Sequence, residues 1–161
     1  MRIHESLTTP DGPFVVIEED GEVIAAGWTG DPAALAARSR LTGGPGAQGS
    51  VASADAVAAY YAGDPTAVTR VAVAAPGTAF RARVWEALRA ISAGQVRTYG
   101  AVAAEVGSPG ASRAVGAACG ANPVALFVPC HRVTGASGAL TGFAWGVDVK
   151  RALLEREAVA A

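Results

Sequence analysis

A Pro-Gly break at Ala75-Pro76-Gly77 separates two stretches of chain whose apolar residues recur at different intervals, and this constrains the fold more than any other feature. Before the break, the β-prone runs 14–18 and 22–28 flank Glu19-Asp20-Gly21. Asp-Gly supplies the positive-φ positions of a tight turn, so the runs read as a hairpin. Asp31 as cap and Pro32 at the first helical position predict a helix through Arg38. A Gly- and Pro-rich loop at 42–50, a helix at 53–62 and an alternating strand at 70–75 complete this part. After the break, Thr78 caps a helix whose Phe80, Val84, Leu88 and Ile91 form one stripe, widened by Trp85. Helices at 98–106 and 111–120 surround Gly107-Ser108-Pro109-Gly110, the pattern of a helix-turn-helix. The apolar run 124–128 predicts a short strand buried on both faces, and a last helix covers 147–158. The expected fold is α+β: a small α/β domain over 1–77 and a mostly helical domain over 78–161.

Composition narrows the class. With 51% of 161 residues hydrophobic, the chain can bury a sizeable core and is not disordered. No stretch approaches the ~18 to 20 apolar residues of a membrane span, and acidic residues interrupt the first thirty positions where a signal peptide would need an apolar core. The expectation is a cytoplasmic protein without membrane contact. Cys119 and Cys130 cannot form a disulfide framework, and with only His4 and His131 beside them they make no structural zinc site. The formal charge of −1 conceals an acidic part, −5 over residues 1–79, and a basic part, +4 over residues 80–161. Such a split fits an ordinary solvated surface as well as a polyanion partner.

Three features of the basic part carry chemistry. Ser108 and Pro109 can start the helix at 111–120, whose inward stripe is Ala111, Val115 and Cys119. Its outer face of Gly110, Ala114 and Ala117 carries one large side chain, Arg113. Small residues let a backbone approach another surface closely, whether a DNA groove probed by the arginine or another helix. The 124–128 run delivers Pro129-Cys130-His131-Arg132. A cysteine is nucleophilic only as thiolate and needs a base or positive charge nearby, although a buried cysteine behind an apolar run is also a common structural residue. Neighbours on an extended chain point to opposite sides, so direct contact between Cys130 and His131 requires a bend, which Pro129 makes plausible, or a bridging water. Glu157 falls on the apolar face of the last helix, and a carboxylate there needs an internal partner. His131 and an arginine such as Arg132 or Arg151 are both candidates.

Gly120-Ala121-Asn122-Pro123 and Val128-Pro129-Cys130-His131-Arg132-Val133, preceded by Ser112-Arg113-Ala114-Val115-Gly116, resemble the signature of the O6-alkylguanine-DNA alkyltransferases. The detailed resemblance covers roughly residues 78–158. It implies a ribonuclease H-like first domain and a second with a helix-turn-helix and an active-site strand. It further implies that Cys130 takes the alkyl group from O6 of guanine, and from O4 of thymine, permanently and in a single turnover, with no cofactor and no metal. His131 is implied as base through a water, Glu157 as its support and Asn122 as the brace of the turn. Tyr99 is implied in nucleotide flipping and in hydrogen bonding to the base, and Arg113 in filling the vacated space. Ala114, Gly116, Ala117, Arg132, Phe143, Ala144 and Trp145 complete the implied contacts. The implied partner is double-stranded DNA carrying O6-alkylguanine, entered from the minor groove by a monomer.

The chain departs from the family pattern at three positions. Phe143 stands where tyrosine is frequent, and Trp145, where some members have glycine, is expected to narrow the pocket and disfavour benzylated guanine. Gly120 replaces an arginine of some relatives, which lowers the expected hold on DNA. The cysteine-rich regulatory domain of adaptive-response relatives has no counterpart, which suggests repair without transcriptional control. Two other classes compete: a non-catalytic damage-binding protein, against which Cys130 argues, and a thiol-sensing regulator, which Glu157 fits poorly.

Overall fold

A computed structural model describes residues 1–160. They form two compact units: Met1–Ala75 with Pro123–Phe127, and Pro76–Asn122 with Val128–Ala161. The first unit is built on β1 (Arg2–Thr9), β2 (Gly12–Glu19) and β3 (Glu22–Gly27), successive antiparallel neighbours. The predicted turn sits between β2 and β3, with Asp20 at φ 51° and Gly21 at φ 84°. Asp31 accepts from the amides of Ala33 and Ala34 and so starts α1 (Pro32–Arg38). The sheet is completed by β4 (Ala47–Gln48), parallel to β1, inside what the sequence presents as a loop. The backbone of Gly46 passes so close to that of Arg2 that any Cβ would collide with it. In α2 (Ala54–Tyr61), the helix start is tied to the sheet by Glu18, which accepts from the amides of Ala52 and Ser53.

Two predicted strands are absent. Residues 70–75 follow a short 3₁₀ turn, Ala67–Arg70, and make only an isolated bridge from Val73 to Val23. Residues 124–128 are buried but irregular: Val124 bridges to Ala26, and Leu126 adopts φ 74°. Burial on all sides produces an unbroken apolar run in either case, so the run alone does not specify a strand. This segment also belongs to the first unit, on the other side of the predicted division at residue 77.

The second unit begins with α3 (Ala79–Arg89), where the Thr78 side chain accepts from the Arg81 amide. Val84, Trp85, Leu88 and Ile91 are buried as the stripe predicts, whereas Phe80 at its start is only half-buried, and the Trp85 indole donates to the Ala118 carbonyl at 2.9 Å. β5 (Arg97–Thr98) leads into α4 (Tyr99–Glu105), capped by Thr98. α5 (Ser112–Gly120) packs against both α3 and α4. It starts later than Ser108-Pro109 predicts, and Ala111 at its N-terminus offers no side-chain cap. Gly107 and Gly110, both at positive φ, keep the chain in turns until residue 111. β6 (Val133–Thr134) pairs in parallel with β5, and α6 (Val147–Ala160) closes the unit. No helix among the described residues is long and apolar enough to cross a membrane.

Candidate active site

Pro129, at φ −82° and ψ 65°, turns the chain into a single 3₁₀ turn, Cys130–Arg132, between the irregular apolar segment and β6. The Cys130 amide donates to the Val128 carbonyl at 2.8 Å, and that of Arg132 to the Pro129 carbonyl at 3.0 Å. This is the bend that an extended chain would lack. Asn122, at the end of α5, grips both sides of it: its Nδ2 donates to the Val128 carbonyl at 2.9 Å and to Cys130 Sγ at 3.3 Å. The Asn122 side chain thereby ties the sulfur to the Val128 backbone.

Glu157 does have an internal partner, and both candidates are engaged. Its Oε2 lies 2.6 Å from His131 Nε2, and its Oε1 accepts from Arg132 Nε at 2.8 Å. Burial alone would raise the Glu157 carboxyl, but the hydrogen bonds from His131 and Arg132 outweigh it and hold the group below the usual carboxylate range. Burial keeps His131 neutral by lowering its pKa, with Arg132 and Lys150 acting in the same direction. A neutral imidazole facing a carboxylate donates from Nε2, so Nδ1 carries the lone pair. That buried Nδ1 has no hydrogen-bond partner.

Cys130 opens onto a cavity of about 570 Å³. Tyr99 lines it from α4, and Gly116, Cys119 and Gly120 from α5; Thr141, Gly142, Phe143 and Ala144 line it from the loop after β6. The Thr141 hydroxyl donates to that of Tyr99 at 3.4 Å. Cys119, expected inside the helix core, instead faces this cavity, and Ala118 takes the core position beside Val115. Burial, together with the Cys130 thiol, pushes the Cys119 thiol up to about 12, so it stays protonated. Trp145 is half-buried and is not among the lining residues.

The other predicted contacts separate by exposure. Arg113, Ala114 and Ala117 share the open face of α5. A Cβ at Gly116 would meet only the Tyr99 ring, at 4.0 Å, and one at Gly120 would meet nothing within 4 Å, so internal packing demands neither glycine. Arg132 corrects the expectation of a DNA contact. It is 1% exposed, and besides holding Glu157 its Nη1 donates to the Ile91 carbonyl at 2.7 Å. A guanidinium enclosed in this way presents nothing to a phosphate.

Lys150 is the site residue that the sequence reading missed. It is buried, donates from Nζ to the Thr141 carbonyl at 3.0 Å, and lies 5.9 Å from the centre of the Tyr99 ring. Burial lowers its pKa, and the thiols of Cys130 and Cys119 raise it. The signal was present: Lys150, Leu153 and Glu157 recur at helical spacing, so the stripe that singled out Glu157 contains Lys150 too.

Residues 79–159 match the family model described as 6-O-methylguanine DNA methyltransferase, DNA binding domain. A methylated-DNA-protein-cysteine methyltransferase of Mycobacterium bovis is 43% identical over 166 residues, covering 96% of this chain and 91% of the relative. The chain belongs to the methylated-DNA-protein-cysteine methyltransferase family. The relative of that name from Salmonella typhimurium is 53% identical over 103 residues, and the match covers 64% of this chain and 60% of its own length. The solved structure of Mycobacterium tuberculosis OGT in complex with DNA superposes with a TM-score of 0.81 at 36% identity, over 99% of this chain and 94% of that one. The mixed α+β architecture of this methyltransferase family is therefore that of the present chain. The matched segment holds Cys130, His131, Glu157 and every residue that lines the cavity.

Proposed function

We propose that this protein repairs DNA by accepting, on Cys130, the alkyl group of O6-alkylguanine and of O4-alkylthymine, once per molecule. The observation that carries this reading is the arrangement at the cavity floor. The cysteine whose sulfur Asn122 holds is followed in the chain by a neutral histidine whose Nδ1 is unpartnered and whose Nε2 is bound to an ionised glutamate. His131 takes the thiol proton through a bridging water, and Glu157 stabilises the imidazolium that forms. The thiolate sulfur then forms a bond to the alkyl carbon as the bond from that carbon to O6 breaks, with its electron pair going to the oxygen. The base leaves as guanine once it has recovered a proton, and Cys130 remains an S-alkylcysteine.

The buried thiol can reach O6 only if the nucleotide leaves the base stack, which makes flipping part of the reading. α4 and α5 serve as a helix-turn-helix, with Arg113 entering the duplex from the minor groove. The open space over Gly120 supports a close approach by that face. Tyr99 donates a hydrogen bond to the base, while Phe143 and Ala144 wall the pocket and Trp145 supports the loop that carries them. The first unit is a ribonuclease H-like support, and the protein acts as a monomer in the cytoplasm. The relative solved in complex with DNA supports the choice of partner. Incubation with an O6-methylguanine duplex, followed by mass measurement of the Cys130 peptide, tests the reading. One added methyl is expected, and an unmodified peptide after saturating exposure refutes it.

A further inference from the structure

Arg132 is buried, charged and outside the chemistry described so far. Its Nε meets Glu157 Oε1 at 2.8 Å, and its Nη1 meets the Ile91 carbonyl, just past the end of α3, at 2.7 Å. The opposite oxygen of the same carboxylate meets His131 Nε2 at 2.6 Å. Three groups therefore stand in line, guanidinium, carboxylate and imidazole, with the unpartnered Nδ1 at the far end. We propose that Arg132 is a positioning residue that sets the tautomer of His131 through Glu157, and so decides whether Nδ1 can receive the Cys130 proton. The inference rests on the repair reading for its consequence, though not for its geometry.

Burial disfavours the charged form of Glu157, and the contacts with His131 and then Arg132 oppose it, so loss of the guanidinium moves the carboxyl toward its protonated form. A protonated carboxyl donates, and the imidazole would then have to accept at Nε2 and carry its own hydrogen on Nδ1. In that state the ring cannot take a proton from the thiol side. With Arg132 present the carboxylate stays ionised, Nε2 keeps the hydrogen, and Nδ1 presents its lone pair. The charged neighbours of this pair act from both sides: His131 and Arg132 on Glu157, and Glu157, Arg132 and Lys150 on His131. Arg132 and Lys150 both disfavour the imidazolium directly, so Arg132 supports the base by fixing its tautomer, not by making it more basic. Attachment to the Ile91 carbonyl holds the guanidinium in register with the carboxylate.

The test uses the whole chain with Arg132→Gln, which keeps a hydrogen-bond donor and removes the charge, beside Arg132→Lys, which keeps the charge. Ring nitrogen NMR reads the tautomer directly, since His4 is the only other histidine. The rate of methyl transfer from O6-methylguanine duplex is followed against pH in parallel. In the wild-type protein His131 should carry its hydrogen on Nε2 at pH 7. In Arg132→Gln it should move to Nδ1, and the acid limb of the pH-rate profile should rise by at least one pH unit; Arg132→Lys should bring both back. If Arg132→Gln does not fold, the paired change Arg132→Gln with Glu157→Gln leaves no uncompensated buried charge. That pair should transfer within twofold of Glu157→Gln alone, and a further tenfold loss would overturn the proposal. So would an unchanged tautomer and profile shape in Arg132→Gln. A wild-type protein with the Nε2 tautomer that transfers no methyl would refute the repair reading and leave the geometric inference standing.

Discussion

Glu157→Gln is the perturbation that bears on fold and chemistry together. Both carboxylate oxygens are engaged, by His131 at 2.6 Å and by Arg132 at 2.8 Å, and all three side chains are about 1% exposed. Glutamine keeps the volume, so no cavity contributes to the cost. What changes is that the Arg132 guanidinium stays buried without its counter-charge. Removing one member of a buried pair costs about 3–5 kcal/mol, and the amide oxygen can still accept one bond, which places this variant near about 3 kcal/mol. For a chain of this length each kcal/mol moves Tm by about 2–4 °C, so a fall of roughly 6–12 °C is expected at pH 7.5. Near-ultraviolet circular dichroism reports it, because Trp85 is buried in the same unit and bonded to the Ala118 carbonyl. Methyl transfer per folded molecule should drop by about 10²–10⁴, the usual worth of a positioned base. A Tm within 2 °C of wild type would mean that the guanidinium does not depend on this carboxylate, and the reasoning about both His131 and Arg132 would fail with it.

Acid should destabilise the protein in a defined window. His131 has its folded pKa below its ordinary value of about 6.5, and Glu157 lies below its ordinary value of about 4.3, so both contribute stability that is complete above those values and lost as pH falls. Unfolding free energy in urea should be level from pH 8 to about 6.5 and decline below; a rise between pH 7 and 5 would contradict the neutral buried imidazole. Cys130→Ser should abolish transfer and leave binding to duplex DNA within twofold by fluorescence anisotropy. In that variant no methyl should appear on Cys119, whose thiol stays protonated, and a methylated Cys119 peptide would overturn its assignment as an inert wall. Arg113→Ala should slow repair of duplex far more than reaction with free O6-methylguanine, and equal losses would remove Arg113 from the flipping step.

What was legible in the sequence was what a few neighbouring residues settle among themselves. Asp31, Thr78 and Thr98 each start a helix through a bond to an amide two or three residues on, and Asp20-Gly21 makes its turn with its own backbone. The apolar stripe on the last helix located Glu157 because a buried charge is costly wherever its partner comes from. The failures lie where distant chain decides. Ser108 has the chemistry of a cap but sits between two positive-φ glycines, and residues 124–128 yield their backbone to an isolated bridge and a turn at Leu126. Arg132 reads in sequence both as a DNA contact and as a partner for Glu157, and the choice rests on acceptors, Ile91 and Glu157, that stand 41 and 25 residues away.

The buried cations also change what the charge split means. Arg132 and Lys150 account for two of the nine positive charges in residues 80–161, and neither can meet a phosphate. Of the other seven, Arg81, Arg89 and Arg156 are half-buried, whereas Arg83, Arg97, Arg113 and Arg151 are exposed, and two of these four are already paired, Arg97 with Glu105 at 2.7 Å and Arg151 with Asp148 at 3.2 Å. Each phosphate neutralised contributes about −0.9 to the slope of log K against log salt, so even full use of the four gives a slope no steeper than about −4. A protein that must inspect many sites for a rare lesion is served by such a shallow dependence, because the cost of leaving each undamaged site stays low. Fluorescence anisotropy titrations on undamaged duplex between 50 and 200 mM salt measure the slope. A value of −6 or beyond would require phosphate contacts that these four side chains cannot supply.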